Sequence, residues 1–159
     1  MALAMLGTAL TGCGSKDAAA QTPAENTQQT APVQQEQSQT EKALALINTF
    51  ATGDTDTAHS LLADGYIQHN LAYGTGADAF IGSVEYLASA DVKTTVNNIR
   101  AFEDGDKVFL QTIYNFAGAG EQVAFDIFRF DEDGKIAEHW DVMETIADQS
   151  TWQNQNGKF

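Results

Sequence analysis

Hydrophobic positions recur with two different periods along this chain, and the change of period separates a helical part from a sheet. Between residues 41 and 88 the apolar residues are spaced three or four apart, which is typical of amphipathic helices. Capping and turn-forming residues divide this part into three predicted helices. They are expected from Thr40 or Glu41 to Gly53 with Thr40 as N-cap, from Asp54 or Thr55 to Ala63, and from Ala77 to about Ala88.

From residue 93 onward apolar and polar residues alternate, and this period of two predicts strands. Glycine-containing turns separate four such runs, so we expect a four-stranded antiparallel meander. The strands are expected at residues 93–102, 107–116, 121–130 and 135–144, with a short extended segment at 66–70. Helices followed by strands are the α+β order, in which the helices gather against one face of the sheet.

The last two predicted strands carry the residues best suited to chemistry. A four-residue turn at 131–134 sets Asp126 opposite His139 and Ala124 opposite Asp141 by antiparallel counting. Because side chains alternate between faces, Asp126, His139 and Asp141 are then expected on one side of the sheet. A slip of one residue would send Asp126 to the other face.

The predicted strands are apolar on both faces, whereas helices can cover only one. The face opposite the acidic residues is expected to carry Val123, Phe125, Ile127, Trp140 and Val142. An apolar face of this kind favours a homodimer that packs through the sheet. The alternative is that a C-terminal tail, residues 148–159 with Trp152, shields it.

Composition limits the classes of partner. The 159 residues suffice for one domain, and 43% of them are hydrophobic. A formal net charge of −14 repels phosphate backbones and anionic lipid headgroups, so nucleic acid is not an expected partner. No run of 18 apolar residues is present, which excludes a predicted transmembrane helix.

The N-terminal region has a separate character. Leu10 to Cys13 reads LTGC after a small, apolar run, which resembles the lipobox of bacterial lipoproteins. The resemblance implies cleavage of a signal peptide within residues 1–13 and lipidation of Cys13. Gly14, where Asp would direct inner-membrane retention, favours an outer-membrane anchor on the periplasmic side. The predicted location is therefore the bacterial cell envelope, with the membrane contacted only through the lipid.

Residues 14–40 are rich in Gln, Thr, Ala and Ser and contain both prolines of the chain. Such a segment cannot bury enough apolar surface to offset its conformational entropy, so it is predicted to be a disordered linker. As a flexible coil it would reach about 30 Å. The folded domain is expected to follow at residues 41–147.

His139 near Asp126 could be a catalytic base or only a stabilising cross-strand pair, and the residues alone leave both readings open. Asp141 adds a second carboxylate and favours proton transfer. His59 is expected to face solvent on its helix, and His69 belongs to a polar segment, YIQHN, at 66–70. These histidines match no metal motif, so no metal is expected. Nucleophile elbows, phosphate-binding glycine loops and dinucleotide fingerprints are absent from the sequence, and no cofactor is expected.

Two motifs together resemble a known family. YxQHN at residues 66–70, followed by DxFR at 126–129 and GKIxEHWDV at 134–142, is similar to the SnoaL-like polyketide cyclases of the nuclear-transport-factor-2-like superfamily. The likeness spans about residues 41–147. Leu71 stands where relatives commonly have proline.

The resemblance implies a cone-shaped α+β fold whose curved sheet surrounds an apolar pocket, usually in a dimer. It implies Asp141 as general acid/base of an aldol-type reaction, with His139 and Asp126 beside it. The residues expected to contact the ligand are Tyr66, Gln68, His69, Asn70 and Trp140.

Two functions follow as alternatives. One is an acid/base enzyme, of the aldol, isomerase or dehydratase type, acting on a small carbonyl-bearing molecule. The other is a binder of a small hydrophobic ligand at the cell envelope that performs no chemistry.

Overall fold

The computed structural model describes residues 36–159, which form three helices and a five-stranded sheet. Cys13 and residues 14–35 of the predicted linker lie outside the described residues. The helices are α1 (Gln39–Thr52), α2 (Thr55–Leu61) and α3 (Ala77–Ser89). The strands are β1 (Leu62–Gln68), β2 (Thr95–Asp104), β3 (Lys107–Asn115), β4 (Gln122–Phe130) and β5 (Ile136–Thr145). Short 3-10 turns occupy Phe116–Gly118 and Gln149–Thr151.

The N-cap of helix α1 lies two residues before the predicted one, so the helix begins at Gln39. Ser38, rather than Thr40, is the N-cap, and it forms a capping box with Glu41. Such a cap stabilises a helix by about 1 kcal/mol. Thr40 instead donates its backbone N–H and its hydroxyl to Glu103 at 2.8 and 2.6 Å, which ties α1 to the end of β2. Gly53 ends the helix as predicted, with a φ of 75°.

Helix α2 is shorter than predicted because the residues after Leu61 pair with a strand. Leu62 lies beside Ile136 and Gln68 beside His139, so β1 runs parallel to β5. The predicted end of α2 at Ala63 is therefore wrong, and residues 66–68 of the short predicted segment at 66–70 form the second half of a full strand, which His69 and Asn70 follow. The sheet is mixed, with the order β1-β5-β4-β3-β2.

The register of the last ribbon differs by two residues from the predicted one. Phe130 pairs with Ile136, and a bulge follows, so that Asp126 faces Asp141 and Phe128 faces His139. The turn at 131–135, in which the backbone N–H of Lys135 donates to the Asp131 side chain, accounts for one residue of the shift, and the bulge accounts for the other. A slip of two residues keeps every side chain on its predicted face.

The helices cover the inner face of the sheet, and the largest core side chains lie between them. The outer face stays partly open: the exposed fraction is 62% for Phe102, 55% for Phe125 and 72% for Val142. The C-terminal tail reaches this face, where buried Gln111 donates to the Lys158 carbonyl at 2.8 Å. Within residues 36–159, no helix is long and apolar enough to cross a membrane.

Candidate active site

A cavity of about 640 Å³ lies between helices α1 and α3 and the inner face of the sheet. Its walls are mainly aromatic and aliphatic, and four strands, β1, β3, β4 and β5, contribute polar groups to it. Four of the predicted site residues line it, namely Gln68, Asp126, His139 and Asp141. The predicted apolar pocket with an acidic wall is thus present in the described part of the chain.

The ionisable trio of Asp126, His139 and Asp141 converges on this wall. A ring nitrogen of His139 and one oxygen of each carboxylate all lie within 4.8 Å of one another, and Asp126 and His139 are only 4% and 6% exposed. His139 Nε2 lies 3.2 Å from Asp126 Oδ1, and Tyr114 donates its hydroxyl to Asp126 Oδ2 at 2.9 Å. Both oxygens of Asp126 are therefore engaged by buried protein groups.

Asp141 is held from the other side by Asn70, which follows β1. The Asn70 amide nitrogen donates to both Asp141 oxygens, at 2.7 and 2.9 Å. The orientation of this amide is fixed, because its oxygen accepts the backbone N–H of Ala72 at 2.9 Å. Asn70 thus aims Asp141 without lining the cavity itself.

Gln68 connects the histidine to the end of β1. Its side-chain oxygen accepts the backbone N–H of Asn70 at 2.9 Å and lies 3.0 Å from His139 Nδ1. Its amide nitrogen donates to the Tyr66 hydroxyl at 3.3 Å. The parallel pairing of Gln68 with His139 places these groups side by side.

Two buried tyrosines, Tyr66 and Tyr114, lie near the two carboxylates. Burial raises the pKa of Tyr66, and the nearby Asp141 and Asp126 raise it further. Burial likewise raises the pKa of Tyr114, with Asp126 adding to the effect. Both phenols therefore stay neutral at physiological pH and can serve as hydrogen-bond donors.

His69 and Trp140 lie on the opposite face of the sheet. Their rings stack at a centroid distance of 4.6 Å, and His69 Nε2 contacts Glu138 at 2.7 Å. Arg129 holds the other Glu138 oxygen at 2.7 Å. His69 and Trp140 therefore do not line the cavity, and their predicted contact with a ligand stays a prediction. Alternation along β1 and β5 explains this placement, since Gln68 and His139 point inward.

Sequence reasoning missed Tyr114 and most of the cavity wall. Tyr114 belongs to the same face of β3 as Leu110, which pairs with Asp126, so the register of β3 and β4 would have placed it near the site. Phe50, Phe80 and Phe116 come from α1, α3 and the turn after β3. Their convergence depends on tertiary packing and leaves no local signal in the sequence.

The trio also supplies the donor atoms that a metal ion would need. One imidazole and two carboxylates form a set that suits several divalent metals. The expectation that no metal is bound stays a prediction.

Comparison with solved structures gives the same fold. An NTF2-like protein from Cytophaga hutchinsonii has a TM-score of 0.59 at 16% identity, covering 70% of this chain and 94% of that one. IdmH from Streptomyces antibioticus, a suggested polyketide cyclase, has a TM-score of 0.55 at 18% identity, covering 68% and 93%. An LEH-like epoxide hydrolase from M. tuberculosis has a TM-score of 0.56 at 18% identity, covering 65% and 80%. At these identities the likeness shows the fold alone.

No curated protein gives a significant match to the chain. The family model of the SnoaL-like domain matches residues 43–139, which is more than half of the sequence and runs from α1 into β5. With three helices on an NTF2-like sheet and a cavity closed by an acidic wall, the chain belongs to the SnoaL-like domain family.

Proposed function

We propose that this domain is an acid/base enzyme that moves a proton on a small, neutral, carbonyl-bearing molecule. The observation that carries the proposal is the position of Asp141, which lines the cavity beside the Asp126–His139 pair. A carboxylate within reach of a bound ligand and next to a second proton-carrying pair is the arrangement that general acid/base catalysis requires.

The two carboxylates are proposed to have different roles. Asp126 has one oxygen on His139 and the other on Tyr114, so its capacity to accept a further proton from a ligand is reduced. Within residues 36–159, Asp141 accepts hydrogen bonds from Asn70 alone, and an ionised carboxylate has about four acceptor positions. Asp141 is therefore the residue assigned to remove the proton from the substrate, and His139 and Asp126 tune and orient the site.

The walls of the cavity favour the substrate class. Among the described residues that line it there are two carboxylates and no Lys or Arg. An anionic ligand would be repelled there, whereas flat, apolar rings would pack against Phe50, Phe80 and Phe116. A neutral ring system with a ketone or similar carbonyl fits both conditions. Aldol condensation, isomerisation and dehydration of such molecules each begin with proton transfer next to the carbonyl.

Hydrogen–deuterium exchange on a model ketone tests the proposal without knowledge of the natural substrate. The bicyclic ketone 2-tetralone in D₂O would be followed by proton NMR with and without the full chain. We expect the protein to accelerate exchange, and Asp141→Asn to reduce the acceleration by about 10²- to 10⁴-fold. His59→Gln, which changes an exposed residue of α2, is the matched control and should keep the full rate. Full activity in Asp141→Asn would overturn the assignment.

The second candidate is a non-catalytic binder of a hydrophobic ligand at the cell envelope. The N-terminal lipobox and linker favour it, because intermediates of polyketide cyclisation arise inside the cytoplasm. Binding of 2-tetralone, seen by ligand-detected NMR, with no accelerated exchange in the wild-type protein would favour this candidate over the enzyme.

Envelope anchoring through Cys13 is part of both candidates. In a bacterium that processes lipoproteins, the full chain should appear in the membrane fraction, and Cys13→Ser should move it to the soluble fraction. A single acyl chain binds membranes only marginally, so the di- or triacyl modification of a lipoprotein would be needed for stable retention. Equal distribution of the two variants would contradict the anchor.

A further inference from the structure

The hydrogen bonds of Gln68 determine whether Nδ1 of the His139 ring carries a hydrogen. The Gln68 side-chain oxygen accepts the backbone N–H of Asn70 at 2.9 Å. A backbone N–H can only donate, so this contact fixes which end of the Gln68 amide is the oxygen. The same oxygen lies 3.0 Å from His139 Nδ1. Since the oxygen only accepts, Nδ1 must carry a hydrogen.

The other histidine nitrogen faces a second acceptor. His139 Nε2 lies 3.2 Å from Asp126 Oδ1, while Asp126 Oδ2 receives the Tyr114 hydroxyl. A neutral imidazole that is protonated at Nδ1 has a lone pair at Nε2, and two lone pairs facing each other at this distance would repel. The contact is satisfied only if a second proton lies between Nε2 and Oδ1, carried by either atom.

This second proton changes the charge of the site. A neutral histidine beside an ionised aspartate gives the pair one negative charge, whereas the additional proton makes the pair neutral overall. Asp126 is the direct cross-strand partner of Asp141, so two full charges would otherwise lie side by side. The Phe128 ring stacks on His139 at a centroid distance of 4.5 Å, which also favours a cationic imidazolium. In the described part of the chain, the other ionisable groups near the pair are Asp141, Tyr66 and Tyr114.

We propose that Gln68 is a positioning residue that fixes the Nδ1–H form of His139, so that a second, exchangeable proton lies between His139 Nε2 and Asp126 Oδ1. The pair then serves as the acid of the site, and Asp141 serves as the base. The assignment of the proton rests on the contacts within the chain. Its use on a ligand rests on the function proposed above.

Nitrogen NMR of the histidine rings tests the placement of the proton directly and without substrate. The chain contains three histidines, and His59→Gln and His69→Gln identify the other two signals. Long-range proton–nitrogen spectra of the labelled full chain near neutral pH should show His139 protonated at Nδ1. A His139 Nδ1 without a hydrogen in the wild-type protein would overturn the proposal, whatever the variants do.

Two substitutions of Gln68 separate positioning from simple packing. Gln68→Leu removes the acceptor, and His139 should change to the form that carries its hydrogen at Nε2 and donates it to Asp126. Gln68→Glu keeps an acceptor opposite Nδ1 and should preserve the wild-type form. If Gln68→Leu retained the hydrogen at Nδ1, or if Gln68→Glu lost it, Gln68 would not be the positioning residue.

Exchange of 2-tetralone then tests whether the proton is used. An imidazole in the wrong tautomer can cost an enzyme about 10⁴ in rate. We expect Gln68→Leu to reduce catalysed exchange by at least about 10²-fold, the lower range for one positioned acid or base, and Gln68→Glu to restore most of it. An unchanged rate in Gln68→Leu, with the changed tautomer seen by NMR, would overturn the role in proton delivery. Failure of the proposed function is distinguishable, since the wild-type protein would then show the Nδ1–H form and no exchange.

Discussion

Asp126 and Asp141 are direct cross-strand partners, with their side chains on the same face of the sheet. Like charges in this position are destabilising unless other groups compensate for them. The compensation differs for the two residues: Asp126 is contacted by His139 and Tyr114, and Asp141 by Asn70. This difference in partners, more than the presence of two acids, separates a buried carboxylate from one available to a ligand.

Asn70 is expected to matter for catalysis more than for folding. Asn70→Ala removes both hydrogen bonds to Asp141, so the carboxylate loses its fixed orientation. Because misplacement of a reacting group by about 1 Å can cost about 10²-fold, 2-tetralone exchange should fall by roughly that factor. Asn70→Asp should be at least as slow, since it places a further like charge beside Asp141. A rate equal to that of wild type in Asn70→Ala would contradict the role of Asn70.

Tyr114→Phe should destabilise the domain. The substitution removes a buried hydroxyl that donates to a carboxylate, and hydrogen bonds to charged groups contribute about 1.5–3 kcal/mol. Urea unfolding followed by tryptophan fluorescence would measure the change. Tyr86→Phe is the control, because Tyr86 is 73% exposed, and the expected change is within about 0.5 kcal/mol.

The same phenols predict a loss of stability at alkaline pH. In the folded state the pKa of Tyr66 and of Tyr114 is raised above the ordinary value of 10.0. Their contribution is therefore complete below pH 10 and is lost as the pH rises above it, because the unfolded chain then releases protons that the folded chain retains. The free energy of unfolding should fall less steeply above pH 10 in Tyr114→Phe than in the wild type. If the free energy of unfolding fell equally steeply in both proteins, the pKa of Tyr114 would not be raised in the folded state.

The sequence predicted the elements better than their ends. Alternation and helical spacing located α1, α3 and the four antiparallel strands, since these signals depend on local periodicity. Residues 62–65 begin β1, whereas the sequence predicts a helix as far as Ala63 and an extended segment only from residue 66. They include Asp64 and Gly65, both poor strand formers, and they are extended because β5 offers a parallel partner more than 70 residues away. Pairing at that separation leaves no trace in local sequence.

For the site, the sequence predicted which face of the sheet the ionisable side chains reach, but not their register. Asp126, His139 and Asp141 reach the predicted face although their register was wrong, since the shift was even. Both Gln68 and His69 were predicted to contact the ligand. Strict alternation of side chains along the strand would have put these two neighbours on opposite faces of the sheet. The aromatic wall could not be predicted, because it depends on how α1 and α3 pack over the sheet.

Glu138 provides a test of acid stability that is independent of the cavity. Contact with His69, and then with Arg129, lowers the pKa of Glu138 below its ordinary value of 4.5. Its contribution to stability is present above that value and is lost as the pH falls through the lowered pKa. Glu138→Gln should cost about 0.2–1 kcal/mol near neutral pH, as for a partly exposed ion pair. The difference from wild type, measured by urea unfolding, should shrink towards low pH, while 2-tetralone exchange stays unchanged.

The proposed homodimer depends on the outer face of the sheet, where Phe102, Phe125 and Val142 remain exposed beside the C-terminal tail. A second copy that covered them would gain about 25 cal/mol of stabilisation for each Å² of apolar surface removed from water. Val142→Lys places a charge at the centre of that surface, opposite Phe125, and should convert the dimer to a monomer in analytical ultracentrifugation. Leu71→Lys is the control, because Leu71 is fully exposed in the loop after β1. The face is not the interface if Val142→Lys remains as dimeric as Leu71→Lys, and a monomeric wild-type protein would favour the alternative in which the C-terminal tail shields this face.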